Sequence, residues 1–493
     1  MLDLKDKLNT VEEQLKKWDI PGCAITIVKD GETVYAGGAG SRDNNGSPVT
    51  ENTLFQIASC SKAFTATLAG VLATEGRLDF DTPVVDYMPD FKMWDDYATM
   101  NLTIRDFLSH RSGMPRHECS WYGSGFSRDE LMANLKYLPM NQPIRYQYQY
   151  SNYNYLIVGC LIEKITGQKF EDVMMEKLLK PLGMTSTHVY LDEIRSQEDH
   201  SLPFDHTEDY TMTGIRQIPY YESPAETHDS AEKVGDPTAP AGCIVSCAKD
   251  MANWILFNLN RGKVNDVQLV REDLMDLITS IHSATGGDDD RHTLNCYGLG
   301  WSICSYRGHK MMEHGGNLNG FSSSVSFVPD LNMGIFLSAN MNTTLLPEAI
   351  YHDLYDAEMN VSDTDWYDVK YKANQAMFDY VIEFFKSFGG EAIPNTTPSH
   401  PLKDYAGNYS VPGYRDTVIA LENDELVLKF NTWTTKLKHH HYDSFATTSL
   451  VCEYPAGLIY TFGTDSKGNI STVSVTLGGE KNLKPIVFTK KGE

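Results

Sequence analysis

Several features are missing from this 493-residue chain, and each absence excludes something. No apolar run reaches the ~18 residues of a membrane-spanning helix, so no span is expected. Positive charge is short. Lys and Arg number 42 against 66 Asp and Glu, a formal charge of −24. With no compensating basic patch, that balance argues against nucleic acid or an anionic lipid surface as partner. Nine cysteines, an odd number without framework spacing, fit free thiols in a reducing compartment. The N-terminal run from Met1 to Leu15 is charged and amphipathic, without the apolar core and cleavage site of a secretory signal. The expectation is therefore a cytoplasmic protein. No Gly-x-Ser-x-Gly occurs, which counts against an α/β-hydrolase, and there is no internal repeat.

Metal chemistry is equally poorly supplied. Cys243 and Cys247 are too isolated for a zinc site, and His117-Glu118 is followed by Trp121 where a zincin needs its second histidine. In His439-His440-His441 only the first and third would share a face of a strand. No metal and no cofactor is expected.

What is present describes a large globular protein, 41% hydrophobic and 11% aromatic, long enough for two or three domains. Strand patterns at residues 23–28 and 33–36 flank Asp30-Gly31, a hairpin turn. Residues 63–74 have helical spacing and stop near Gly76, and a largely helical middle continues to about residue 190. Residues 191–240 are polar and read as a long surface excursion over the site. Strand patterns return at 297–301, 322–328 and 333–338, which suggests one sheet built from both ends of this region beside a helical lobe. A helix is expected from Asp365 to Phe388 and a linker over 389–398. Short strand patterns at 404–409, 416–421, 425–430 and 458–462 then fit a small antiparallel barrel or sandwich.

Three Ser-x-x-Lys pairs carry the chemistry question: Ser59/Lys62, Ser230/Lys233 and Ser246/Lys249. At the start of a helix this spacing sets both side chains on one face, where a desolvated lysine can take the serine proton. Ser230 lies in the polar excursion and is a chance match; Ser246, after a short apolar run, reads as an N-cap. Ser59 is favoured by two downstream runs, Tyr150-Ser151-Asn152 and His314-Gly315-Gly316.

With those three motifs, residues 10–350 resemble the serine β-lactamase and penicillin-binding-protein superfamily, in its class C β-lactamase-like branch. The runs from Leu102 to Pro115, Pro240-Ala-Gly242 and Tyr297-Gly-Leu-Gly-Trp301 are similar to that family's landmarks. The part with Tyr405-Ala-Gly-Asn-Tyr409 and His441-Tyr-Asp-Ser-Phe445 is similar to the lipocalin-like appendage of some members. The resemblance implies an α+β, β-lactamase/transpeptidase-like fold, an antiparallel sheet plus helical lobe, followed by a small all-β barrel. The expected divisions are a catalytic domain over 1–360, helix and linker over 361–398 and a lipocalin-like barrel over 399–493.

The roles it implies agree with the residue chemistry. Ser59 is the nucleophile, and Lys62 with Tyr150 is the general base, a nearby ammonium making the phenolate more accessible. Asn152, His314, Gly315, Gly316 and Asn317 bind substrate, the two glycines leaving the strand edge clear. The backbone N–H groups of Ser59 and Asn317 form the oxyanion hole. Cys60 reads as a small packed residue beside the nucleophile.

A serine hydrolase of a small amide or ester, including a short peptide, is the leading expectation. An acyltransferase with the same acyl-enzyme and a non-catalytic scaffold are the alternatives. Oligomeric state stays open, as does whether the C-terminal barrel caps the site or joins subunits. Drug-hydrolysing relatives carry Lys-Thr-Gly where this chain has His314-Gly315-Gly316, so the fixed cation for a substrate carboxylate is replaced by a largely neutral histidine. The expected outcome with a chromogenic cephalosporin is weak or no turnover by pure protein, read from its absorbance change.

Overall fold

The computed structural model describes residues 4–190, 192–206, 215–218, 236–287, 292–388, 391–449, 451, 457–477 and 483–492. Most of the expected excursion, with Ser230 and Lys233, lies outside them, as does most of the junction at 389–390.

An eight-stranded antiparallel sheet organises the first 340 residues. Its order is Glu32–Gly40, Gly22–Lys29, Met333–Ala339, Phe321–Val328, His309–Leu318, Ser302–Tyr306, His292–Tyr297, Ser283–Ala284. Both ends of the region meet in the middle, where Cys23 pairs with Ala339 and Lys29 with Met333. The Asp30-Gly31 turn joins the first two strands with positive φ at both residues, the conformation a tight hairpin requires. Strand Gly22–Lys29 is buried almost throughout, because both faces of the sheet are covered. On one face Ile25 and Ile27 pack with Trp18, Leu346, Ile350 and Trp366 of the terminal helices. On the other Ala24 and Val28 face the helical lobe, in which Phe64 stacks on Trp254 at 3.7 Å.

Four local expectations are corrected. Gly298 to Trp301 is a connection between strands, not a strand. Gly300 has φ +78°, and a Cβ there would stand 2.7 Å from the Lys62 carbonyl. Ser246 is no N-cap: it lies in the short strand Val245–Ser246, which pairs with Phe55–Gln56, and Cys247 precedes the helix Ala248–Leu259. Asp404 and Tyr405 belong to a helical turn, Leu402–Tyr405, with the strand starting at Gly407. Cys119 is disulfide-bonded, so the expectation of nine free thiols does not hold. Seven others form no disulfide and are buried, and Cys452 lies outside the described residues.

The helix Trp366–Phe388 leads to a closed eight-stranded barrel running from Gly407–Ser410 to Ile486–Lys490. Its interior is filled: Tyr409, Leu428, Phe445, Tyr460, Val473 and Phe488 are buried. The barrel is thus a packed module, not a cup. Among the described residues no helix is long and apolar enough to cross a membrane, and no group of His, Cys, Asp and Glu is placed to hold a metal.

Asp356 ties the end of the strand Ser302–Tyr306 to the terminal helices. Its buried carboxylate accepts from Tyr306 Oη (2.5 Å), from Arg307 Nε (2.6 Å) and Nη2 (2.7 Å), and from Trp366 Nε1 (2.7 Å). Removing one partner strands the others in a dry setting, so Asp356→Ala should lose ~3–5 kcal/mol, measured by denaturant unfolding.

Candidate active site

Ser59 sits on a short 3-10 turn, Ala58–Cys60, immediately before the helix Ser61–Thr74. Several contacts pin that turn. The Ile57 N–H donates to the Ile244 carbonyl at 3.0 Å, and the Ile244 N–H donates to Ser61 Oγ at 3.1 Å. The Cys60 thiol donates to the His314 carbonyl at 3.1 Å. Ala58 has φ +49°, a left-handed conformation that costs an alanine ~1–2 kcal/mol. Gly316 allows the strand His309–Leu318 to reach the turn: a Cβ on it would lie 2.3 Å from the Ile57 carbonyl oxygen. Its glycine is therefore required by close packing on the serine turn rather than by clearance for a substrate. Gly315 is exposed on the strand, and a Cβ there would have only the Ser323 carbonyl within 4 Å.

Lys62, one helical turn beyond Ser59, is completely buried. Its Nζ lies 3.0 Å from Ser59 Oγ, 2.8 Å from Asn152 Oδ1 and 2.8 Å from the Ala241 carbonyl oxygen. Burial, reinforced by the positive charge of Arg116, holds the Lys62 amine well below the usual lysine range. Tyr150 Oη donates to Ser59 Oγ at 2.9 Å. Here the expected shift is reversed: burial pushes the Tyr150 phenol up, outweighing its bond to Ser59 and the charge of Arg116. The phenol is therefore held in its neutral form. Burial likewise pushes the Cys60 thiol up, leaving it a packed, unreactive group.

His314 does not face the cleft. Its ring is buried, with Nε2 2.9 Å from Tyr297 Oη and Nδ1 2.6 Å from the Gly315 carbonyl oxygen. Burial, then Lys62, pushes it down to about 3, so it is uncharged at neutral pH. Asn317 uses its side chain to hold a neighbouring loop, its Oδ1 accepting from the Thr343 N–H at 2.8 Å and from Ser322 Oγ at 2.9 Å. Its backbone is placed differently. The strand turns back at Asn319-Gly320, Leu318 pairs with Phe321 and Asn317 with Ser322. Alternation in an antiparallel ladder then directs the Asn317 N–H away from the neighbouring strand, to the open edge beside Ser59.

The structure thus brings Ser59, Tyr150, Asn152 and Asn317 together around one cleft of about 90 Å³, with Lys62 buried against Ser59 and Asn152 and His314 outside the lining. Three participants were not singled out from the sequence. Arg116 and Ala241 line the cleft, the latter by its carbonyl group, and Pro240-Ala-Gly242 was visible only as a landmark without a role. His110 lies against the Tyr150 ring with centroids 4.3 Å apart, and its Nδ1 accepts from the Ser151 N–H at 3.2 Å. Its φ of +56° depends on its turn, which no residue type announces.

Comparison with known proteins agrees with this arrangement. A family model described as Beta-lactamase matches residues 8–357, and a domain of unknown function, DUF3471, matches residues 391–490. The chain is 28% identical over 442 residues to the unguisins hydrolase ungD' of Aspergillus campestris, covering 86% of this chain and 79% of that one. It is 27% identical over 364 residues to protein flp of Staphylococcus aureus, covering 71% and 66%. Among solved structures, the octameric penicillin-binding protein homologue from Pyrococcus abyssi superposes with a TM-score of 0.62 at 18% identity, covering 99% of this chain and all (100%) of that one. SurE gives 0.57 at 19% identity, covering 99% and 98%; both likenesses concern the fold. A family match over most of the chain, on a sheet and helical lobe that bring the Ser-x-x-Lys, Tyr-Ser-Asn and His-Gly-Gly motifs together, leads to one statement: the chain belongs to the Beta-lactamase family.

Proposed function

We propose that the protein is a serine hydrolase that cleaves a small amide or ester, including a short peptide, through an acyl-Ser59 intermediate. The observation that carries this is the set of three atoms around Lys62 Nζ. A neutral amine has two N–H donors and one lone pair. Two of its neighbours, Asn152 Oδ1 and the Ala241 carbonyl oxygen, can only accept, so they take both donors. The lone pair is left for the third neighbour, Ser59 Oγ, and the serine proton has a base to go to.

The steps follow from that proton inventory. Ser59 Oγ attacks the carbonyl carbon as its proton passes to Lys62. The oxyanion is held by the N–H groups of Ser59 and Asn317, each worth roughly 10²–10³ in rate. When the tetrahedral species collapses, the Tyr150 phenol gives its proton to the leaving amine or alkoxide and recovers one from the Lys62 ammonium. Water repeats the sequence to release the acid. In this scheme Lys62 is the base, and Tyr150 acts as a neutral relay, which suits a phenol pushed up by burial. Asn152 holds Lys62 and offers its amide to the substrate, and the substrate lies along the edge left open at Gly315. His314 supports the strand as a neutral ring. A relative named as a hydrolase of unguisins, aligned over most of this chain, supports hydrolysis as the outcome.

The test is intact-mass acylation by a fluorophosphonate and by activated esters. One adduct is expected on the wild type and none on Ser59→Ala, with at least a ~10³-fold loss of esterase rate. No adduct on the wild type would sink the proposal, and transfer to added alcohols in preference to water would recast the enzyme as an acyltransferase. The pH dependence has a definite sign. Lys62 must be neutral, so the acylation rate rises with pH through its lowered pKa and is lost on the acid side. Removing the nearby positive charge in Arg116→Gln should let that pKa rise and move the acid limb to higher pH, measured from kcat/KM profiles. His314, already neutral above about 3, adds no limb near neutrality.

A further inference from the structure

Residues 116–126 form one wall of the cleft, contributing Arg116, Trp121 and Tyr122 to its lining. The barrel grips this segment at one point after another. Asn431, in the turn between Glu425–Phe430 and Trp433–His441, donates from Nδ2 to both the Cys119 and the Tyr122 carbonyl oxygens, each at 2.9 Å. These are carbonyls at the end of the short helix Glu118–Trp121, so a barrel side chain caps it. Trp433 stacks on the Tyr122 ring, with centroids 5.4 Å apart and planes within 23°.

Further along, Gly123 has φ +62°, and a Cβ on it would meet Thr432 Oγ1 at 2.6 Å and the Trp433 ring at 2.7 Å. Arg415 donates to the Ser124 and Gly125 carbonyl oxygens at 2.7 and 2.8 Å, its guanidinium lying 3.9 Å above the Phe126 ring. Tyr414 Oη lies 2.9 Å from His117 Nδ1. At the cleft itself, the Tyr122 hydroxyl donates to Asn319 Oδ1 at 3.1 Å. Asn319 is in the turn immediately after the strand that bears Asn317.

These contacts make a continuous path: barrel turn, Tyr122, Asn319, oxyanion strand. We propose that the barrel determines acyl-group selectivity without touching the substrate, by using Asn431 and Trp433 to hold Tyr122 as a fixed wall across the cleft. Asn431 and Trp433 are positioning residues in this account. Tyr122 lines the cleft together with Ser59, so a wall held in place limits the room for a long acyl chain, and a loosened one admits it. The inference rests on the acyl-Ser59 reading above.

The experiment compares p-nitrophenyl acetate with p-nitrophenyl octanoate on full-length Asn431→Ala/Trp433→Ala. Relative to wild type, kcat/KM for octanoate over acetate should rise ~10-fold, the range one relaxed apolar wall provides. The acetate kcat and the acid limb of its pH profile should stay within about 2-fold of wild type, because Ser59, Lys62 and Tyr150 are not moved. Trp433→Phe, which keeps a ring on Tyr122, should restore the wild-type ratio, and Lys429→Ala, on the exposed outside of the barrel, should not alter it. An unchanged ratio in a folded variant, or equal losses on both esters, would overturn the proposal. If the double variant does not fold, Trp433→Leu alone carries the same expected direction. Acylation of wild-type Ser59 is measured in parallel: its absence would count against the hydrolase reading, and its presence with an unchanged ratio against the barrel's role alone.

Discussion

A buried lysine amine is the constraint on which the rest of the structure depends. Lys62 has no exposed surface, and a lone ammonium in that position would face a desolvation penalty of several kcal/mol. Burial holds the amine well below the usual lysine range, and the Asn152 and Ala241 oxygens accept its hydrogen bonds. Three separate stretches of chain must converge for this: the helix Ser61–Thr74, the start of Asn152–Thr166 and the short helix Ala239–Gly242. The same convergence leaves Ser59 Oγ as the third neighbour of the nitrogen, at 3.0 Å.

The sheet contributes the other half. Its strand His309–Leu318 pairs with Ser302–Tyr306 only as far as Glu313, so residues beyond it present an open edge. Gly316 lets that edge press against the serine turn, and the neutral His314 behind it needs no counter-ion in a dry setting. Around Tyr150, the His110 ring and the Ser151 backbone fix the phenol from the side away from the cleft. Electrostatics here works against charge: burial lowers the Lys62 amine and the His314 ring and raises the Tyr150 phenol, and Arg116 lines the cleft, paired with Glu118 at 2.6 Å.

The barrel packs on one wall of the cleft, and none of its described residues is in the cleft's lining. Its interior is filled with aromatic and aliphatic side chains. Its outer turn meets the catalytic region through directional contacts with main-chain carbonyl groups, which depend on position more than on the partner's side chains. The disulfide at Cys119 lies in this same segment.

Much was legible in the sequence. The Asp30-Gly31 hairpin, the helix behind Lys62 and the paired strands near 322–338 follow from local turn chemistry and periodicity, which act over a few residues. Ser59 could be separated from two equal spacings because two further motifs stood in the right order. By contrast, local rules misread Ser246 as a cap, since pairing with Phe55–Gln56 took it into a strand, and Gly298 to Trp301 as a strand, since Gly300 had to approach the Lys62 backbone. The sequence by itself determined which motifs stand in order along the chain and several of the elements that bear them. Only the tertiary structure decided their charge states, the inward turn of His314, the carbonyl of Ala241 as a partner of Lys62 and the barrel's hold on Tyr122. Each of those depends on desolvation or on distant contacts, 179 positions apart for Lys62 with Ala241 and 309 for Tyr122 with Asn431, and neither is encoded in local spacing.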